Sequence, residues 1–261
     1  MKVNELTGWL DGKYPCRMAE DWDNVGLLVG DDEAEVRHVF LALDLTEQTL
    51  KEAIEAGADM IVTHHPMIFR GMKKINNHDF TGRKILSLIR HGIQYYAMHT
   101  NYDILGMAEL SADYLKLRDR QVLTVTEETE QGAEGLGRTG FLPRRMTLQE
   151  CGEFVKEAFS VPDVRVYGDP EMIVERAAVC TGSGKSMLSD VLEKKAQVYI
   201  TGDIDYHTGI DAVAQGLAVI DAGHYGTEKF FASAMKEKLE KKLEGVSIAA
   251  SKINQEPFTM L

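Results

Sequence analysis

The sequence predicts an α/β protein built on mostly parallel sheets, and three observations lead there. Apolar runs of strand length alternate with segments of helical periodicity along the chain. Three of those runs end abruptly in imidazole and carboxylate residues. The order of strand, helix and terminal residue in the first half then recurs in the second.

Residues 36–43 form the first clear strand-like run. Residues 46–56 read as a helix with Leu50, Ala53 and Ile54 on one face and Gly57 as its stop. The run 58–63 follows and meets His64-His65-Pro66. A polar loop through Asn76, Asn77 and His78 leads to a helix bearing Ile85, Leu88 and Ile89, which stops near Gly92. The run 93–98 meets His99-Thr100-Asn101-Tyr102-Asp103, and a helix around 108–117 completes the unit. The acidic stretch 127–132 reads as a surface connector, which places one repeat at 1–125 and a second at 126–261.

Beyond the connector, Thr147 and Glu150 form a capping box for a helix reaching Phe159. Strands near 164–167 and 174–180 lead into a helix over 186–196. Then come a strand at 197–201, a short helix ending at Gly216 and a strand at 217–221. That strand meets Ala222-Gly223-His224-Tyr225-Gly226-Thr227-Glu228. A long amphipathic helix to Leu243 and a last strand at 246–250 close the chain. The halves read as a divergent duplication: Thr63 and Thr201 both end a strand, and His99 and His224 both follow the next one. Each of those histidines precedes a carboxylate by four residues, Asp103 or Glu228.

Composition narrows the function. With 261 residues, 44 % hydrophobic and 27 % charged, the chain is of ordinary globular make-up and can bury a real core. A net charge of −12 argues against a general nucleic-acid or anionic-membrane binder, which needs phosphate-neutralising cations. An anionic small substrate stays open, because bound cations reverse the local field. Cys16, Cys151 and Cys180 form no CxxC pair, and the start of the chain lacks a signal-peptide core. No apolar run approaches a membrane span, so the expected location is cytoplasmic.

Parallel neighbouring strands would open their carboxyl ends on one sheet edge, where α/β proteins place ligands. Imidazole with carboxylate suits zinc, iron, manganese, cobalt or nickel. Taken alone, His64-His65 also fits a hydrogen-bonded pair in a tight turn before Pro66, and Glu228 also fits a helix-capping glutamate. Three such strand ends together point to two divalent ions. His64, His65, Asp103, His224 and Glu228 leave coordination positions open for water, and Glu228 is the carboxylate placed to bridge. His99 is either a further ligand or a group orienting Asp103. Asp203, Asp205 and His207 would orient ligands or substrate, with His207 a proton carrier, or simply shape a turn. Asp23 or Asn24 would face the metal cavity or shape the turn before a strand. Thr181-Gly182-Ser183-Gly184-Lys185-Ser186 is not a Walker loop, since Val179 stands where that motif needs glycine; it reads as a structural tight turn, or else as a loop whose backbone amides hold an anion.

Several stretches resemble the NIF-three-like family, whose bacterial members are labelled GTP cyclohydrolase I type 2 homologues. The most specific are Thr63-His64-His65-Pro66 and Gly223-His224-Tyr225-Gly226-Thr227-Glu228. The resemblance implies two interlinked α/β repeats with a dinuclear metal centre between them, and a toroidal homohexamer. It implies His64, His65, Asp103, His224 and Glu228 as ligands, with Glu228 shared. The short connector makes this the compact form, without the extra domain that some members insert. The expected function is a metal-dependent hydrolase acting on a nucleotide, as in guanine ring opening with loss of formate, with His99 and His207 moving protons. The alternative is a non-catalytic, metal-stabilised ring that binds a partner or nucleic acid.

Overall fold

The computed structural model describes residues 1–130, 132–254 and 256–259. It divides the chain into two compact units, Met1–Tyr102 with Phe230–Leu261, and Asp103–Lys229. The chain therefore leaves the first unit at Tyr102 and rejoins it at Phe230, so the units do not follow the sequence halves 1–125 and 126–261.

The first unit opens with helix α1 (Val3–Lys13), whose Val3, Leu6 and Leu10 are buried at helical spacing. Strand β1 (Gly26–Val29) and β2 (His38–Ala42) precede α2 (Glu47–Glu55). Thr46 caps α2, accepting the Thr49 N–H at 3.1 Å while Thr49 returns the bond to the Thr46 amide at 2.8 Å. Strand β3 (Met60–Thr63), α3 (Phe80–His91), β4 (Gln94–Ala97) and the single turn α4 (Thr100–Tyr102) follow. Asp79 caps α3 through the Gly82 N–H at 2.8 Å, and Gly92 ends it at φ 65, a left-handed conformation suited to glycine.

The second unit begins with a π-helical turn, Asp103–Met107, that leads into α5 (Ala108–Tyr114). A long antiparallel hairpin comes next, β5 (Arg118–Thr129) with β6 (Gly132–Thr147). Its tip is the acidic stretch expected to be a connector. Glu127 and Glu128 sit within β5, paired to Glu134 and Ala133, because Thr and Val in alternation favour a half-solvated strand. Gln131 of that stretch lies outside the described residues. Helix α6 (Leu148–Phe159) carries the expected box, with Thr147 accepting from the Glu150 amide at 3.1 Å and Glu150 from the Thr147 amide at 2.9 Å. Then come β7 (Arg165–Tyr167), β8 (Ile173–Ser183), α7 (Leu188–Glu193), β9 (Val198–Gly202), α8 (Tyr206–Ala214), β10 (Ala218–Asp221) and α9 (His224–Glu228).

Back in the first unit are α10 (Phe231–Lys242) and β11 (Ser247–Ala250). The single long helix expected to end at Leu243 is thus two, α9 and α10. The last strand joins the first sheet, beside β2.

The first sheet has the order β1-β4-β3-β2-β11, with every ladder parallel except that of β1 on β4. The second has the order β5-β6-β8-β9-β10-β7, with a parallel centre β8-β9-β10 and antiparallel flanks. Strands β3, β4, β9 and β10 are buried along their whole length, which is why they read as unbroken apolar runs. Leu50 and Ala53 of α2 and Leu88 of α3 pack on Phe40, Ile61 and Tyr95 in one core. Val191 of α7 and Ala212 of α8 pack with Tyr199 and Val219 in the other. Each large apolar side chain so buried contributes about 1.5–3 kcal/mol. Among the described residues, no helix is long and apolar enough to cross a membrane.

Candidate metal centre

In the first unit the donors stand at the carboxyl ends of two adjacent parallel strands. Thr63 pairs in register with Ala97, so His64 and His65 after β3 neighbour His99 just beyond β4. A buried network fixes the turn. The Thr63 hydroxyl donates to the His65 carbonyl at 2.8 Å, and the Tyr95 hydroxyl, 2.7 Å from it, accepts the Met67 N–H at 2.8 Å. Burial raises the Tyr95 phenol to about 12 and keeps it protonated.

Each ring is then held by Nδ1. That of His64 donates to the Met98 carbonyl at 3.0 Å, that of His65 to Asp44 Oδ1 at 2.8 Å, and that of His99 to Asp23 Oδ1 at 2.9 Å. An oxygen acceptor at Nδ1 places the proton there and leaves Nε2 as the ligating nitrogen. Each of the three residues offers a ring nitrogen within 4.8 Å of the others. Phe231, 5.2 Å from the His64 ring, walls the buried side. Burial pushes Asp23 up, but hydrogen bonds from His99 and Thr100 and the His99 charge outweigh it and hold the carboxyl at about 2.

The second unit builds a matching corner. Thr201 pairs with Asp221, so Asp203 and His224 lie beyond the ends of adjacent parallel strands. Asp221 accepts the Gly223 N–H at 2.9 Å and the Ile204 N–H at 3.0 Å, tying the two loops together. His224 Nδ1 donates to Asp203 Oδ2 at 2.7 Å, and its Nε2 stands 3.1 Å from Glu228 Oε2. Donors about 2.0–2.2 Å from a four-coordinate ion lie about 3.3–3.6 Å apart, close to that separation. Glu228 is only 3 % exposed. Asp103, first residue of the π-helical turn, offers an oxygen within 4.8 Å of one from Glu228. Burial drives the Cys180 thiol up to about 12, and the charges of Asp103 and Glu228 add to the effect.

The glycines at the end of β8 are explained by this corner. A Cβ on Gly182 would lie 2.3 Å from Glu228 Oε1 and 3.3 Å from His224 Nε2. One on Gly184 would meet the Tyr199 and Thr201 hydroxyl oxygens at 2.1 and 2.3 Å. Close packing, rather than phosphate, requires glycine there.

Of the residues singled out from sequence, His64, His65 and His99 come together in the first unit, and Asp103, His224 and Glu228 in the second. Asp203 anchors His224, while Asp205 caps α8 through the Thr208 N–H at 3.0 Å. His207 stands on the exposed first turn of α8, its ring 5.3 Å from that of Tyr206. The sequence pattern does not single out Asp44, and it offers Asp23 only as an alternative to Asn24. The signal for Asp44 was its place just past the end of β2, beside the strand that bears His65.

The donor chemistry, three anchored imidazoles in one unit and an anchored imidazole with two carboxylates in the other, fits divalent transition metals. The family model of DUF34/NIF3 (NGG1p interacting factor 3) matches residues 1–257. The chain belongs to the DUF34/NIF3 family. Two relatives named GTP cyclohydrolase 1 type 2 homolog carry that likeness through all or nearly all of the length. The one from Clostridium perfringens is 33 % identical over 100 % of both chains, and the one from Clostridium acetobutylicum is 36 % identical over 95 % of this chain and 93 % of its own. Among solved structures, a Bacillus cereus protein related to NIF3 superimposes with TM-score 0.93 at 26 % identity, covering 100 % of this chain and 99 % of that one. The Staphylococcus aureus hypothetical protein SA1388 gives 0.91 at 30 % identity, with the same coverage. Both likenesses span the full mixed α/β architecture of this chain.

Proposed function

We propose that this DUF34/NIF3 protein holds two divalent transition-metal ions and is a metal-dependent hydrolase of a nucleotide-like substrate, akin to GTP cyclohydrolase 1 type 2. The observation that supports it is the anchoring of every donor imidazole at Nδ1, three by carboxylates and one by a carbonyl. Such anchoring costs freedom that a merely structural histidine need not give up, and it preorganises Nε2 for a metal.

His64, His65, Asp103, His224 and Glu228 would hold the ions, with Glu228 shared, since both Asp103 and His224 neighbour it. The ions would supply Lewis acidity and an activated water near neutral pH. His99, with Asp23 at its Nδ1, is set up to take a proton at Nε2 and pass it on, or to serve as a further ligand. His207, being exposed, would meet the substrate's outer side. Zinc, iron, manganese, cobalt and nickel all suit the donor set. A homohexameric toroid and a cytoplasmic location complete the reading, the latter supported by three free cysteines.

Metal analysis of purified protein should give close to two ions per chain. Metal-replete protein should release formate from GTP or phosphate from another nucleotide. If it does neither, and simple phosphoesters also survive, the non-catalytic metal-stabilised ring replaces the hydrolase.

A further inference from the structure

One feature of the first unit is absent from its counterpart. The connection from β3 to α3, residues 64–79, is far longer than the connection from β9 to α8, residues 203–205. Asn24 ties the longer one down, its Nδ2 donating to the Ile68 carbonyl at 2.6 Å. The loop then presents Phe69, 47 % exposed, against Trp22, 56 % exposed, with ring centroids 5.7 Å apart and planes inclined at 47°. Trp22 in turn lies 5.9 Å from the His99 ring at 75°. Neither neighbour is stacked parallel on the indole. An aromatic wall thus continues outward from the histidine cluster.

Phe69 also lines a cavity of about 280 Å³ together with Met67, Arg70, Met72, Asp79 and Phe80. That volume suits one planar ring system rather than a drug-sized ligand, for which about 300–1,000 Å³ is usual. The loop also gathers Arg70, Lys73 and Lys74, all exposed, in a chain whose net charge is −12. Among the described residues no carboxylate pairs with any of the three. Exposed large aromatics beside a donor cluster suit a π-faced ligand, because stacking on indole or phenyl is tolerant of ring identity, while nearby cations favour an anionic substituent.

We infer that Trp22 and Phe69 form the substrate platform of this site, stacking a purine-like heteroaromatic ring at the mouth of the histidine cluster, with Arg70 and the loop lysines facing its anionic substituent. The inference rests on the hydrolase reading for its choice of substrate but not for its test. Trp22 and Phe69 are positioning residues here, binding the ring without taking part in bond making.

The chain has two tryptophans, Trp9 and Trp22, so a Trp9→Phe variant leaves Trp22 as the sole indole reporter. Guanosine, adenosine and inorganic tripolyphosphate would be titrated into metal-free and metal-replete protein, with emission and equilibrium dialysis as readouts. The nucleosides should quench Trp22, and tripolyphosphate should not. Trp22→Ala and Phe69→Ala should each weaken nucleoside binding about 5- to 150-fold, the range for losing one base stack. Both side chains are exposed, so both variants should keep the wild-type melting temperature. If no nucleoside binds, or if both variants bind as tightly as wild type, the platform is refuted. A drop in assembled mass on sedimentation of Trp22→Ala would refute it too, making the wall an interface between copies. Trp22-dependent binding without turnover of any nucleotide would end the hydrolase reading and leave the platform standing. Turnover with an unchanged KM in Trp22→Ala would do the reverse.

Discussion

The two units carry the same module and use it differently. In the first, α1 leads to an edge strand β1 that runs antiparallel to β4, and β4 is followed across the sheet by β3 and β2 in parallel. In the second, α6 leads to an edge strand β7 antiparallel to β10, followed by β9 and β8 in parallel. Helices α2 and α3 connect the first set as α7 and α8 connect the second. The residues at the strand ends have diverged. Where the first module has His64-His65 after Thr63, the second has Gly202-Asp203 after Thr201. One strand end thus provides donors, and its counterpart provides a close backbone approach and an anchor for the neighbouring histidine. A duplicated scaffold fixes where chemistry can sit, and a change of two residues decides whether a corner binds or supports.

The sharpest way to break this comparison is Glu228→Ala. If Glu228 is the shared carboxylate, metal content should fall from about two ions per chain toward none, whereas His64→Ala should lose mainly one. Full occupancy in Glu228→Ala, by elemental analysis of folded protein, would end the bridging role.

The anchors come next. Asp44→Asn and Asp203→Asn occupy unrelated positions in the two modules yet do the same work on His65 and His224. Each should weaken metal affinity about 10- to 100-fold, as loss of such a partner typically does. Competition with a chelator reads this directly. An effect from one and none from the other would show that only one corner needs its anchor.

A smaller effect is acid sensitivity confined to the first module. Asp23 is held at about 2 in the folded chain, below its ordinary value of 3.8, so the unfolded state binds its proton first as pH falls. The stabilisation is present above about pH 4 and is lost as pH drops toward 2. With the Asp23 side chain fully buried it amounts to about 2 kcal/mol at most. Asp23→Asn should remove that part of the acid slope in metal-free protein, followed by denaturant midpoints. An unchanged slope would mean that the His99 contact is not maintained in solution.

The smallest effect should come from His207→Ala. Its exposed position predicts a stability change within about 0.5 kcal/mol and no change in metal content. A loss of bound metal in this variant would place a donor where the module comparison puts none.

How much of this was legible in the sequence depended on burial. β3, β4, β9 and β10 were readable because burial on both faces leaves unbroken apolar runs such as Met60-Ile61-Val62-Thr63. The β5–β6 hairpin was not, because its mostly solvated residues around Glu127 and Glu128 have the polarity of a linker. Helix α1 also escaped, although Val3, Leu6 and Leu10 carry the period; Gly8 and Gly12 dilute its helical propensity. The donors stood out because they break apolar runs at strand ends. Their anchors did not, because which carboxylate meets a given Nδ1 depends on strand order: Asp44 reaches His65 only because β2 lies beside β3.

The pairing of β11 with β2 has a consequence for biogenesis. Ser247 meets His38 across 209 residues of chain, so the first sheet cannot be completed until nearly all of the polypeptide exists. At about 5–20 residues per second, translation leaves the β2 edge open for about 10–40 s. The second unit, one continuous segment, has no such wait. Vectorial synthesis would therefore finish the Glu228 corner before the sheet carrying His64 and His65 is sealed. Pulse-labelled hydrogen exchange on nascent chains should find β9 and β10 protected while β2 still exchanges.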